Sequence, residues 1–150
     1  MLVNKRLELI RRKISLMEAK KILENFQTMN LINVEDTNSI WVEGFQPLLR
    51  ETRKYESVPT NSINKDQEVD FLEWIKEQLT FLKDINEWLI AVPNVNDPVW
   101  ASVLVNDSSA AITELWTKSE NHEFVIAIKS IKQIAVIYNE EHVFEVHVKK

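Results

Sequence analysis

The side chains that could do acid–base or metal chemistry are three late histidines, His122, His142 and His147, and many carboxylates. His142 and His147, flanked by Glu140, Glu141 and Glu145, could supply metal ligands by type. A separation of five residues along a strand sends the two imidazoles to opposite faces, so a turn-and-surface role is expected instead. The chain has no cysteine, which removes disulfides, thiolate catalysis and Cys-based zinc or iron–sulfur sites. Its one glycine, Gly44, cannot make a Walker A loop, a dinucleotide fingerprint or a kinase glycine loop, each of which needs several glycines for backbone to approach phosphate. The sequence holds neither His-Glu-x-x-His nor Gly-x-Ser-x-Gly. Acid–base work needs two carboxyls in unequal environments, and nothing in the sequence supplies that inequality. No cofactor and no metal are expected.

One group of carboxylates does form a pattern. Asp66 is positioned to cap a helix over about residues 67–83, with Phe71, Ile75, Leu79 and Leu82 on its buried face. Asp66, Asp70, Glu73 and Glu77, then Asp84 and Glu87 if the helix extends, recur in steps of four and three through Thr80. At about 100° per residue they form a stripe almost opposite the apolar one. Like charges at i,i+4 repel, and Lys76 and Lys83 lie too far round to neutralise the stripe fully, so the stripe costs stability and suggests use. A solvated helix face has the same composition. Trp74 and Phe81 fall on the flank between the stripes, and an aromatic beside carboxylates is the usual make-up of a hot spot for a basic partner. The expected partner-binding set is therefore Asp66, Asp70, Glu73, Trp74, Glu77, Phe81 and Asp84.

Other elements must carry this helix. Apolar residues Leu7, Ile10, Ile14, Met17, Ile22, Leu23 and Phe26 give helical spacing over about residues 4–28, read most simply as one amphipathic helix, with two helices broken near Ser15 as the alternative because Ser15 and Glu18 spell a capping box. Residues 30–38 read as a polar connector. Ser39 caps a helix over about residues 40–53 with Trp41, Phe45, Leu48 and Leu49 on one face, and Gly44 inside it implies a close packing contact. Residues 56–65 read as an exposed loop. Trp88–Val92 and Trp100–Val105 read as strands joined by a Pro93–Pro98 connector, and Ser109–Lys118 as a short helix capped from Asn106–Ser108.

The closing stretch, Glu123–Lys150, organises the rest. Three apolar runs, Phe124–Ile128, Ile134–Tyr138 and Val143–Val148, are separated by short polar breaks, which predicts a β-meander. In the last run Phe144, Val146 and Val148 alternate with Glu145, His147 and Lys149, implying one apolar face and one wet face. The fold class expected is α+β. N-terminal helices (about 1–85) pack on a C-terminal antiparallel sheet of about five strands (about 86–150) with one short inserted helix, in a single domain.

The 150 residues are 45% hydrophobic and 27% charged, a globular composition, and carry a net charge of −5. The charge is uneven: residues 1–30 hold seven basic and three acidic groups, residues 31–121 seven and sixteen, and residues 122–150 four and four. An acidic middle repels nucleic acid and attracts a cationic partner. The cluster Arg11, Arg12 and Lys13 is read as favouring a helix C-terminus rather than binding phosphate. No signal-peptide pattern and no membrane-length apolar run is found, so a cytoplasmic location is expected.

Over about residues 86–148 the chain resembles the small bacterial immunity proteins, or antitoxins, that protect a cell against polymorphic toxins. The resemblance rests on the Trp-containing strand pair Trp88–Val92 and Trp100–Val105, the short helix ending near Glu120, and two strands leading into Asn139-Glu140-Glu141-His142. It implies a non-enzymatic, acidic, cytoplasmic binder of a toxin domain, and no site residue is carried over from it. Together with the charge pattern it gives the expected function: an inhibitor of a cognate basic toxin domain, such as a nuclease, that binds neither nucleic acid nor membrane. An enzyme with a dispersed Asp/Glu/His site and a structural subunit of a larger complex are the alternatives.

Overall fold

Seven strands pair side by side, all antiparallel, in the computed structural model, which describes residues 2–35, 38–95 and 98–150. They are β1 (Met29–Glu35), β2 (Asn61–Asn64), β3 (Glu87–Ala91), β4 (Trp100–Val105), β5 (Phe124–Ile128), β6 (Gln133–Asn139) and β7 (Val143–Lys149). Their order in the sheet is β1-β4-β3-β5-β6-β7-β2. The helices are α1 (Leu2–Glu24), α2 (Ile40–Thr52), α3 (Phe71–Gln78) and α4 (Ser108–Lys118). The α+β class and the β5-β6-β7 meander are as expected, with Phe124 facing Ile137 and Ile137 facing Val146 across the ladders.

The strand count is seven where about five were expected, because β1 and β2 come from the N-terminal part. They occupy stretches read as connector and loop. Both are edge strands held by one ladder, and only Met29 and Ile63 in them are buried, so neither leaves an alternating apolar signature. The division into a helical part and a sheet part fails for the same reason. The connectors at 30–38 and 93–98 also run partly through residues 36, 37, 96 and 97, outside the described residues.

Both faces of the sheet are covered, which corrects the expectation of one wet face. One core joins Ala19 and Leu23 of α1, Ile75 of α3 and Ala111, Ile112 and Leu115 of α4 to Trp88, Ile90, Val103, Ile126 and Ile137. The other joins Val42, Phe45 and Leu49 of α2 to Leu89, Trp100, Val125, Ala127, Ile134 and Val136. Neighbouring strand residues alternate between the two cores, as a pleat requires, so α2 lies on the face opposite α1, α3 and α4. Every residue of β5 is buried in consequence. A strand covered on both sides is an unbroken apolar run, and Phe124–Ile128 is one. His147, expected on a wet face, is 1% exposed, because the end of α2 and the following turn close over it.

Local signals explain the helices. Ser39 caps α2 by accepting from the Trp41 amide, and Asp107 caps α4 by accepting from the Ala110 amide. α1 is the single helix of the simpler reading and runs unbroken through Ser15, which is buried inside it, so the capping-box sequence marks no break and Arg11, Arg12 and Lys13 lie in mid-helix, not at a helix C-terminus as expected. Gly44 is exposed, and a Cβ there would meet nothing within 4 Å, so the expected packing contact is absent. Among the described residues no helix is long and apolar enough to cross a membrane.

Candidate functional site

The helix expected to bear the acidic stripe is shorter than its periodicity suggested. Its N-cap is Asp70, accepting from the Glu73 amide, and not Asp66, because β2 pairing and the Lys65 amide bond to the His142 carbonyl hold the preceding chain extended. α3 ends at Gln78, and Thr80–Leu82 form a 3₁₀ turn that keeps Leu82 buried. Glu87 opens β3. The carboxylates therefore do not share one helical face.

They divide into three groups. Asp66 and Asp70 are exposed in the turn before α3, and the cap position of Asp70 gives its charge a structural use. Glu73 and Glu77 line a groove of about 540 Å³ between α3 and the start of α4, over a floor of Leu79 and Ile112, with Asp107 on its far wall. Lys76 and Lys83 share that lining, and the Lys76 ammonium lies 3.4 Å from Glu73. Asp84 belongs to a different hollow, with Glu87, Trp41 and Lys129. Trp74 and Phe81 are partly buried and pack against the larger core, so neither stands out as an exposed anchor.

Asp107 and Ile112 were missed as groove residues. Asp107 was legible only as a cap, since its approach to Glu73 and Glu77 depends on α3 packing against α4 across the β3–β4 pair.

Two carboxyls are held below their ordinary range, and both do structural work. Burial opposes ionisation of Glu114. Bonds from Lys118, the Thr28 hydroxyl and the Gln27 and Thr28 amides outweigh it and bring the carboxyl down to about 2. This ties α4 to the turn between α1 and β1. Burial likewise opposes ionisation of Glu35, and hydrogen bonds from Lys129, Ser102 and Ser39, with the Lys129 charge, lower its pKa. The Lys129 ammonium is 2.6 Å from Glu35 and 2.8 Å from Ser102, linking β1, β4 and the end of β5.

The histidines separate as well. His142 is exposed beside Glu141, and His122 stacks on Trp116 at 4.0 Å with Nδ1 2.7 Å from the Trp116 carbonyl. Among the described residues no three His, Asp or Glu side chains gather as a metal site. His147 sits at the base of a hollow of about 510 Å³ lined by Ser57, Tyr138 and Glu145. Its Nε2 is 3.0 Å from Glu145 and its Nδ1 3.5 Å from the Ser57 hydroxyl. With Nε2–H donating to Glu145, Nδ1 is left to accept from Ser57, which has the polarity of a nucleophile, base and orienting carboxylate. No spacing in the sequence announces this trio, because Ser57 comes from the turn after α2 and the other two from β7.

No family model, curated protein or solved structure matches the chain.

Proposed function

We propose that the protein is an immunity protein of the antitoxin kind, acting in the cytoplasm, which binds a cognate basic toxin domain through an acidic surface and so neutralises it. The observation that carries this reading is the α3–α4 groove. Glu73, Glu77 and Asp107 rim an apolar floor made by Leu79 and Ile112, which can accept a basic side chain with its aliphatic stem. Three carboxylates, Glu73, Glu77 and Asp107, line the groove against two ammoniums, Lys76 and Lys83, and three more carboxylates, Asp66, Glu68 and Asp70, stand exposed in the turn before α3. A toxin nuclease is the natural partner class, since its cationic cleft evolved to hold phosphate and accepts carboxylates in its place.

The test uses the basic protein that co-purifies with the chain from its native host, followed by stopped-flow at two ionic strengths. Glu73→Gln, Glu77→Gln and Asp107→Asn together are expected to slow association about 10-fold and flatten its salt dependence, because exposed charges act mainly through the long-range field. The partner's nuclease activity should also escape inhibition. An unchanged rate with unchanged salt dependence makes the groove an ordinary solvated surface and removes the main support for this function.

The Ser57, His147 and Glu145 arrangement favours a second reading, a hydrolase that forms a covalent intermediate on Ser57. A fluorophosphonate probe labels such a serine, and Ser57→Ala abolishes labelling. Absence of label on the wild-type chain dismisses this reading.

A further inference from the structure

Helix α1 is apolar on two opposite sides and docks only one of them. Ser15, Ala19 and Leu23 face the sheet and are buried. Leu7, Ile10, Ile14 and Met17 remain 48%, 52%, 50% and 61% exposed. At about 100° per residue these four fall together on the side away from the sheet. A helix docked on one apolar side ordinarily turns polar residues outward, and a contiguous exposed apolar surface marks an interaction site.

The spacing identifies the shape of the occupant. Steps of three, four and three from Leu7 to Met17 make an a/d heptad seam, the pattern that receives a second helix by knobs-into-holes packing. One flank of the seam carries Arg6, Lys13 and Lys20, seven residues apart, and the other carries Arg11 and Glu18. These are the positions whose charges choose the partner and its orientation.

Charge also decides against a second copy of α1. Residues 4–21 hold seven basic and two acidic side chains. Antiparallel self-pairing sets Arg6, Lys13 and Lys20 against their own copies, and parallel self-pairing sets Arg6 against Arg11 and Lys13 against Glu18, one repulsion for one attraction and no net gain, whereas an acidic helix meets all three basic side chains with opposite charge. We propose that the outer face of α1 docks an acidic amphipathic helix of another protein, with its apolar stripe on Leu7, Ile10, Ile14 and Met17 and its carboxylates opposite Arg6, Lys13 and Lys20. This surface is separate from the acidic α3–α4 groove and takes a partner of opposite charge.

Two synthetic three-heptad peptides serve as probes, both with leucine at every a and d position, one with Glu and one with Lys at every e and g. Fluorescence anisotropy with the full chain is expected to show the Glu peptide binding at least 10-fold more tightly than the Lys peptide. Ile10→Ser with Ile14→Ser should weaken the Glu peptide at least 10-fold without lowering the thermal midpoint, because both residues are about half exposed. Reversing Arg6, Lys13 and Lys20 to Glu should exchange the preference of the two peptides. The proposal is overturned if neither peptide binds or both bind equally. It is equally overturned if the wild-type chain sediments as a dimer that Ile10→Ser with Ile14→Ser dissolves, since a second copy then covers the seam. Preferential adsorption to vesicles of phosphatidylcholine and phosphatidylglycerol over the Glu peptide would overturn it in favour of a lipid surface. None of these variants touches the α3–α4 groove, so failure here leaves the toxin-binding test unaffected.

Discussion

Replacing Glu114 by Gln isolates one electrostatic tie between distant parts of the chain. The Glu114 side chain is 9% exposed and is held by the Gln27 amide at 2.9 Å, the Thr28 amide at 2.9 Å, the Thr28 hydroxyl and the Lys118 ammonium at 2.8 Å. Lys118 extends the tie to the Asn25 carbonyl at 2.7 Å and lies 4.7 Å from the Phe26 ring. A carboxyl brought from 4.5 to about 2 by folding favours the folded state at neutral pH by about 3 kcal/mol. Lys118 is 36% exposed, and solvent screening reduces the expected loss in Glu114→Gln to about 2 kcal/mol. The sign follows from proton uptake. As pH falls the unfolded chain protonates first, so the contribution is complete above about pH 5 and disappears as pH falls towards 2. Urea unfolding of the two proteins from pH 7 to pH 2.5 is the assay. The variant should unfold at a midpoint about 1 M lower at pH 7 with an unchanged slope, and the two midpoints should converge at the acid end. A gap that stays constant across this range would refute the linkage, since the cost would then come from altered packing and not from charge.

Other changes test other parts of the fold. Gly44→Ala should raise stability by about 0.5–1 kcal/mol, seen as a higher urea midpoint, because the position is helical, exposed and has room for the methyl group. Lys129→Met should cost about 3 kcal/mol in the same measurement, since it leaves the Glu35 carboxylate, 10% exposed, without its counter-charge. His147→Ala should cost about 2–3 kcal/mol by opening a cavity against Tyr138 and freeing Glu145, and a loss under 0.5 kcal/mol would show that the site collapses without strain. Trp74→Ala should lower the thermal midpoint, because the ring is partly buried against the larger core.

Elements whose signals lie within a few consecutive residues were readable from the sequence. Ser39 and Asp107 announce α2 and α4 because a cap is an interaction between a side chain and an amide two or three residues away. The β5-β6-β7 meander is equally local, with short polar breaks between apolar runs, and so is the length of β4. Glu73 and Glu77 were correctly placed on one helix, although the stripe that joined them to Asp66, Asp84 and Glu87 required the helix to continue where the chain instead bends into β3. Features set by distant partners were not readable. β1 and β2 are strands because β4 and β7 offer them free ladders, and their own residues bury almost nothing. Glu145 and His147 alternate like a wet face, yet His147 is buried because α2 crosses to the side opposite the other helices. The addition of Asp107 to the acidic groove, and the exposure of Leu7, Ile10, Ile14 and Met17, were decided the same way. Periodicity states which side chains share a face, but only the packing of elements far apart in the chain states what, if anything, lies against that face.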